Sequence, residues 1–187
     1  MPEVVEPKVY RVPGKRGAGA NTRRGIEVAL SHGSDVIVTL DGDGQHDPRE
    51  IPRLVKPIED GVADVVVGSR FLSSGYRIPK YRKFGIDVIT FALNVMSRTK
   101  FTDGQCCFRA YSRKALEAIT ITEAGFGFST EILIKARALG FRIVEVPVSC
   151  IYHEDIKSNS TLNPVRHGLG VLLVTIRWRI WETFQKQ

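Results

Sequence analysis

A chain of 187 residues with 43% hydrophobic and 25% charged side chains is long enough for one domain with a real core and too apolar for a disordered segment. Its formal net charge of +7 asks for an anionic partner: nucleic acid, an acidic membrane face or a phosphorylated ligand. The basic residues lie in scattered pairs (Lys15-Arg16, Arg23-Arg24, Arg82-Lys83, Arg113-Lys114) with no zinc-finger spacing or aromatic RNA-binding signature, so nucleic acid is set aside.

In chain order, Lys8 to Val12 reads as a short strand, followed by the loop 13–19 and a helix from about Ala20 to Ser31. Val36 to Leu40 is β-branched and apolar, the pattern of a strand covered on both faces. It stops at Asp41-Gly-Asp43-Gly-Gln45-His46. Asp47-Pro48-Arg49-Glu50 reads as a helix start, with Asp47 as N-cap, Pro48 at the first helical position and Glu50 completing a capping box. Ile51, Leu54, Val55 and Ile58 form one apolar face, and Gly61 ends the helix. Residues 64–68 are the next buried strand, and the alternation predicts an α/β domain with a mostly parallel sheet flanked by helices.

Past Arg70 a loop rich in Ser, Gly and Pro precedes an apolar helix from Phe84 to Met96. Cys106 to Tyr111 reads as a strand, and Ser112 as the cap of a short helix to about Ile119. Ser129 is placed as the cap of a helix carrying Ile132, Leu133, Ala136 and Leu139, stopped by Gly140. Phe141 to Ile151 is the last strand, and Pro147 within it indicates an edge position or a bulge. Residues 152–163 read as a mobile polar loop. The apolar run Gly168 to Ile176 is far short of the ~20 residues that span a bilayer. Arg177, Trp178, Arg179 and Trp181 follow it at once, which suits an interfacial helix and a core-packing helix equally. Cys106, Cys107 and Cys150 are spaced for neither zinc nor a disulfide framework and point to a reducing compartment. The charged, Pro-rich opening residues do not read as a signal peptide.

Asp41 and Asp43 carry the most chemistry. They fall at the carboxyl end of a buried strand, where open α/β sheets bind ligands. Two carboxylates with a glycine between them suit a hard divalent cation that keeps water and phosphate oxygens as its other ligands. A calcium-binding EF-hand loop is excluded, because its twelfth position, a bidentate Glu, falls on Pro52 and its fifth on Gln45. An aspartyl phosphatase also sets two aspartates after an apolar strand, but such enzymes carry Thr or Val where this chain has Gln45. A ligand-free polar turn is the remaining alternative. His46, beside the pair, is the histidine singled out; the other three show no clustered spacing.

Four separated motifs align with one family. Asp41-Gly-Asp43-Gly-Gln45-His46-Asp47-Pro48, then Val66-Val-Gly68-Ser69-Arg70-Phe71, then Asp103-Gly-Gln105-Cys-Cys-Phe108-Arg109, then Gly125-Phe126-Gly-Phe128-Ser-Thr-Glu131 resemble the family-2 glycosyltransferases, and among them the dolichyl- or polyprenyl-phosphate sugar synthases. The resemblance spans about residues 8–175. It implies a GT-A fold, Rossmann-related, and inverting transfer of a hexose from a nucleotide-sugar (GDP- or UDP-linked) to a polyprenyl or dolichyl phosphate. By the same resemblance Asp41 and Asp43 form the acidic pair, with Asp43 the direct ligand of Mg²⁺ or Mn²⁺ and Gln45 in support. Arg70, and with it Arg82, grips phosphate or acceptor. Asp103 is a base or orienting group near the acceptor, Gln105 and Arg109 line the same wall, and Glu131 contacts acceptor or sugar or favours a helix N-terminus.

Members of the family begin with a strand bearing an apolar-Pro-x-Asn-Glu pattern and a second ending Asp-Asp-Gly-Ser; here Met1 is followed almost at once by the third strand, so the expectation is an N-terminally truncated domain. The acceptor loop also departs, with Tyr152-His153 and Ser160-Thr161 where members carry Tyr-Arg and Ser-Lys. The organisation expected is a catalytic region over 1–151 and an acceptor loop with an amphipathic helix over 152–187. The protein is placed at the cytoplasmic face of a membrane, as a peripheral enzyme or as a non-catalytic membrane-associated module.

Overall fold

The computed structural model describes residues 8–10, 17–72, 78–95, 97, 99–151 and 164–185. Four β segments, β1 (Val36–Thr39), β2 (Val65–Ser69), β3 (Arg109–Ser112) and β4 (Ile143–Pro147), pair in the order β1-β3-β2-β4. β2 and β4 are parallel, with Val65 opposite Ile143, while β3 runs antiparallel to both β1 and β2 through Ala110, opposite Val38 and Val66. Three of the four described strands therefore point the same way, as the alternation predicts, yet the sheet is mixed. The inversion of β3 is invisible to a pattern of alternating elements: β3 is reached from β2 by a long excursion through α3 (Lys80–Asn94), which leaves either direction open.

Each strand is apolar on both faces because both are covered. Ile37, Val65, Val67 and Tyr111 pack toward Ile26 of α1 (Ala18–Ser31), Leu116 of α4 (Arg113–Ala118) and Ile132 of α5 (Phe128–Ala138). Val66 and Ala110 face the other way, onto Leu54 of α2 (Ile51–Glu59), Phe108 and Val148. The start of α1 is pressed so closely to the loop before α5 that a Cβ on Gly19 would lie 2.1 Å from the Glu123 carbonyl oxygen.

Local expectations hold at most caps. Asp47 accepts from the Arg49 N–H, Ser112 accepts from the Ala115 N–H, and Gly61 takes the left-handed turn at φ 68°. Glu50 does not close a capping box. Its carboxylate reaches Ser149 N and Oγ, both at 2.9 Å, and ties α2 to the chain after β4. Ser129 is not a cap either: α5 begins at Phe128 after Gly127, where a Cβ would lie 2.5 Å from Val174 Cγ1. Steric fit chose that boundary over side-chain capping. β4 is an edge strand ending at Pro147. Residues 8–10 have no regular structure, and Arg11, Val12, the Lys15-Arg16 pair and the loop 152–163 lie outside the described residues.

The C-terminal helix α6 (Pro164–Gln185) packs on α3 and α5. Its inner face carries Val171, Thr175 and Glu182, all buried, while Leu169, Leu173, Ile180 and Phe184 are exposed. The core-packing reading holds for the inner face, and the outer face leaves large apolar side chains exposed. The tryptophans belong to the inner one: Trp178 and Trp181 pack edge to face at 5.3 Å against the core. Glu182 is fully buried and takes a fork from Arg137 Nε and Nη2, each at 2.8 Å, with Arg179 as a second partner. Arg137 also donates to Ser97 Oγ at 2.6 Å, and Arg179 to the Val95 carbonyl, so the lock fastens α6 to α5 and to the end of α3. Removing the carboxylate leaves two guanidinium groups without their anion. Glu182→Ala is expected to cost about 3–5 kcal/mol of unfolding free energy in urea titration, the range for breaking a buried pair.

Candidate active site

Past Thr39 the chain leaves the sheet and turns through Asp41, Gly42, Asp43 and Gly44, the last at φ 75°. The loop is held at both sides. Asp43 Oδ1 accepts the Gln45 N–H at 3.0 Å, and the Gln45 carbonyl accepts the Ile151 N–H at 2.9 Å. Asp41 is exposed at the rim and Asp43 half-buried. Crowding by the surrounding walls, and then the charge of Asp43, push the Asp41 carboxyl above its usual range. A carboxyl held above its usual range beside a second carboxylate makes a hard-oxygen pair of the kind that suits a divalent cation. Among the described residues no group of three His, Cys, Asp or Glu gathers for a metal. The pair suits an ion that draws its remaining ligands from water and phosphate.

His46 turns inward, 7% exposed, with its ring 5.1 Å from that of Phe108. Burial, and then the positive charge of Arg70, push its pKa down. Neutral His46 forms the apolar backing of the acidic loop.

Arg70 and Asp103 face the pair. Arg70 follows β2, and its Nε and Nη2 donate to Asp103 Oδ2 and Oδ1 at 2.6 and 2.8 Å, while its backbone N–H lies 3.2 Å from Oδ2. Asp103 is wholly buried, and the loop that carries it is clamped by Glu145 of β4, which accepts from the N–H groups of Thr102 and Asp103. Both carboxylate oxygens are thus spent on Arg70. Of the two roles expected for Asp103, base and orienting group, the geometry leaves only orientation. The guanidinium it holds stays partly exposed and borders the cleft.

Two other expectations are corrected. Arg109 is 1% exposed and gives its N–H groups to the carbonyls of Cys106, Ser129 and Gly104, at 2.7, 2.6 and 3.0 Å. It braces the wall from behind and does not line it. Glu131 is fully buried, accepting from Thr122 N and Glu123 N at 2.8 Å and pairing with Lys135 at 2.7 Å. It anchors the loop before α5 and contacts neither acceptor nor sugar.

Asp41, Arg70, Arg82 and Gln105 all border one cleft of about 320 Å³, while Asp43 and Gln45 are not among its lining residues. Its flanks are apolar: Ile86 and Ile89 from α3, Val171 from α6, and Phe126 from the loop between. Cys107 also borders it, whereas Cys106 is a core residue. The apolar flanks are what sequence reasoning missed. The run 84–96 reads as a generally apolar helix, and only the packing of α3 against α6 shows that residues 86 and 89 turn toward Asp41. His167, at 4.6 Å from Phe126 in an edge-on contact, borders the cleft too and carried no signal in its spacing.

The profile of glycosyl transferase family 2 matches residues 5–120. An undecaprenyl-phosphate mannosyltransferase of Micrococcus luteus is 31% identical over 179 residues, covering 89% of this chain and 73% of that protein. A UDP-N-acetylglucosamine–dolichyl-phosphate N-acetylglucosaminyltransferase of Methanococcus voltae is 32% identical over 143 residues, covering 74% of this chain and 57% of that protein. The fold is similar to that of glucosyl-3-phosphoglycerate synthase from Mycobacterium tuberculosis, crystallised with Mn²⁺, uridine diphosphate and phosphoglyceric acid, with a TM-score of 0.65 at 18% identity, covering 89% of this chain. This chain spans 55% of that synthase. The sheet with its inverted third strand is a GT-A-like α/β fold, and the chain belongs to glycosyl transferase family 2, built as a glycosyltransferase.

Proposed function

We propose that this chain transfers a hexose from a nucleotide-sugar to a polyprenyl phosphate, with inversion at the anomeric carbon. One observation carries the reading: a single cleft is bordered both by Asp41 of the acidic loop with a buttressed Arg70, and by the apolar side chains of Ile86, Ile89, Phe126 and Val171. An amphiphilic phosphate matches that polarity along its length. The relatives named above act on undecaprenyl and dolichyl phosphates with different sugars, which supports the acceptor class and leaves mannose, glucose or another hexose to experiment.

In this reading Asp41 and Asp43, with Gln45 beside them, hold Mg²⁺ or Mn²⁺. The bound ion neutralises the departing nucleoside diphosphate. Arg70, kept in place by Asp103 and aided by Arg82, orients the lipid phosphate so that one oxygen faces the anomeric carbon opposite the leaving group; guanidinium suits this because it stays charged and grips phosphate in a fork. The acceptor is already anionic, so no side chain must take a proton from it, which agrees with Asp103 being spent on Arg70. Gln105, on the same wall, is placed to contact acceptor or sugar.

Membrane contact is part of the proposal. Among the described residues no helix is long and apolar enough to cross a membrane. The outer faces of α3 and α6, with Phe84, Phe91, Leu169, Leu173 and Phe184 exposed, flank the cleft and suit a peripheral enzyme resting on the cytoplasmic leaflet, where its acceptor is anchored. In this assignment α6, within the segment 152–187, serves as acceptor wall and membrane-facing helix beside a catalytic region over 1–151.

Calorimetric titration with uridine and guanosine diphosphates, with and without Mn²⁺, tests the metal site. Saturable Mn²⁺-dependent binding of one of them is expected, weakened about tenfold or more by Asp43→Asn. Retained Mn²⁺-dependent binding in that variant removes Asp43 from the site, and binding to anionic vesicles alone identifies the non-catalytic module instead. A second measurement reads the cost of ionising Asp41 in its half-enclosed place beside Asp43. A carboxyl whose pKa is raised by folding destabilises the fold once it ionises, so metal-free Asp41→Asn should melt higher than the parent at neutral pH. The advantage should shrink as pH falls through the raised pKa and vanish below the ordinary value of 3.8, where the parent is protonated in both states. An advantage independent of pH contradicts the assignment.

A further inference from the structure

Glycine is the poorest helix former after proline, so a glycine inside a helix needs a reason. Packing supplies one at Gly19 in α1, where a Cβ would come to 2.1 Å of a neighbour, and outside helices at Gly68 in β2, Gly104 in its loop and Gly127 before α5, at 2.8, 2.6 and 2.5 Å. Gly61 and Gly140 turn with φ of 68° and 75°. Gly85, inside α3, and Gly168, early in α6, have neither reason. No heavy atom lies within 4 Å of a Cβ built on either, and neither has a positive φ. What they share is the cleft, which both border from opposite helices. Gly25 and Gly170 also have open surroundings but do not border it.

The distance between the two helices is not free to adjust. The Arg137–Glu182–Arg179 lock fastens α6 to α5 and to the end of α3, and α3 packs directly on α6. The width of the trough is then decided by the side chains along it. Ile86, Ile89 and Val171 make its walls apolar, and at Gly85 on α3 and Gly168 on α6 no side chain projects into it. A prenyl chain carries a methyl branch at every fourth carbon and is broader than a linear alkyl chain, so it needs that extra room.

We propose that Gly85 and Gly168 set the bore of the acceptor trough and admit the methyl-branched chain of a prenyl phosphate. The proposal rests on the lipid-phosphate reading above and names the residues that select the lipid. It is tested with the full chain by calorimetry, using farnesyl phosphate and linear dodecyl phosphate below their critical micelle concentrations. The wild type binds both. Gly85→Leu and Gly168→Leu each weaken farnesyl phosphate about tenfold or more, through overpacking of the trough, and weaken dodecyl phosphate less. Should the leucine variants fail to fold, the double variant G85A/G168A carries the test: it melts higher than the parent, by roughly 2–4 °C per substitution, and still loses at least about threefold in farnesyl phosphate affinity. Unchanged farnesyl phosphate binding in folded variants overturns the role of the glycines while the acceptor reading stands. A wild type that takes dodecyl but not farnesyl phosphate, or that binds neither, overturns both.

Discussion

The buried fork between Arg70 and Asp103 is the interaction on which the site is built. Neither group could be placed there alone. A carboxylate with no solvent exposure must be matched by a cation, and the loss of one partner strands the other at about 3–5 kcal/mol. Matched, the two join the end of β2 to the loop carrying Gln105 and Cys107, and that loop is further fixed by Glu145 from β4. One electrostatic contact therefore aligns two strands, a loop and the wall of the cleft, and leaves a guanidinium edge pointed at the place where phosphate is expected.

Across the cleft the balance is reversed. Burial, and then the charge of Asp43, hold the Asp41 carboxyl above its usual range, and the nearby His46, Arg70 and Arg109 offset this only in part. An arrangement that costs stability in this way is the kind kept for function. Under the proposed function, a cation and a diphosphate would supply the charge that completes it. The cationic and anionic walls thus differ in kind: one is pre-formed and satisfied internally, the other waits for its counter-charge.

The helices α3 and α6 connect this chemistry to its surroundings. Their facing sides line the trough, their contact is locked through Glu182, and their outer sides carry aromatic and aliphatic residues that remain exposed. Under the proposed function, a helix pair apolar on both the cleft side and the outer side would let a lipid chain reach the cleft from a membrane surface. The inner and outer faces of α6 explain why its composition fitted two descriptions equally well.

Much of the architecture was legible in the chain itself. Strands at 36–39 and 65–69, the caps Asp47 and Ser112, the edge position of β4 and the acidic pair at the end of β1 follow from short-range rules: β-branched runs, turn glycines, side chains that bond the nearest free N–H. The motifs carrying Asp41, Asp43, Arg70 and Asp103 mark the family in the chain itself. What tertiary structure alone decided are the matters set by which groups the packed chain brings together. Whether β3 runs up or down, whether Asp103 faces ligand or Arg70, whether Arg109 and Glu131 meet solvent or carbonyls and N–H groups, and which side of α3 borders the cleft with Asp41 all depend on that packing: Arg70 lies 33 positions from Asp103, and even the nearby partners of Glu131 reach it only through the fold of the loop before α5. Local periodicity records that a residue is apolar or charged; only the packed chain determines which neighbour satisfies it, because a buried polar group takes whatever partner the topology brings within hydrogen-bonding reach.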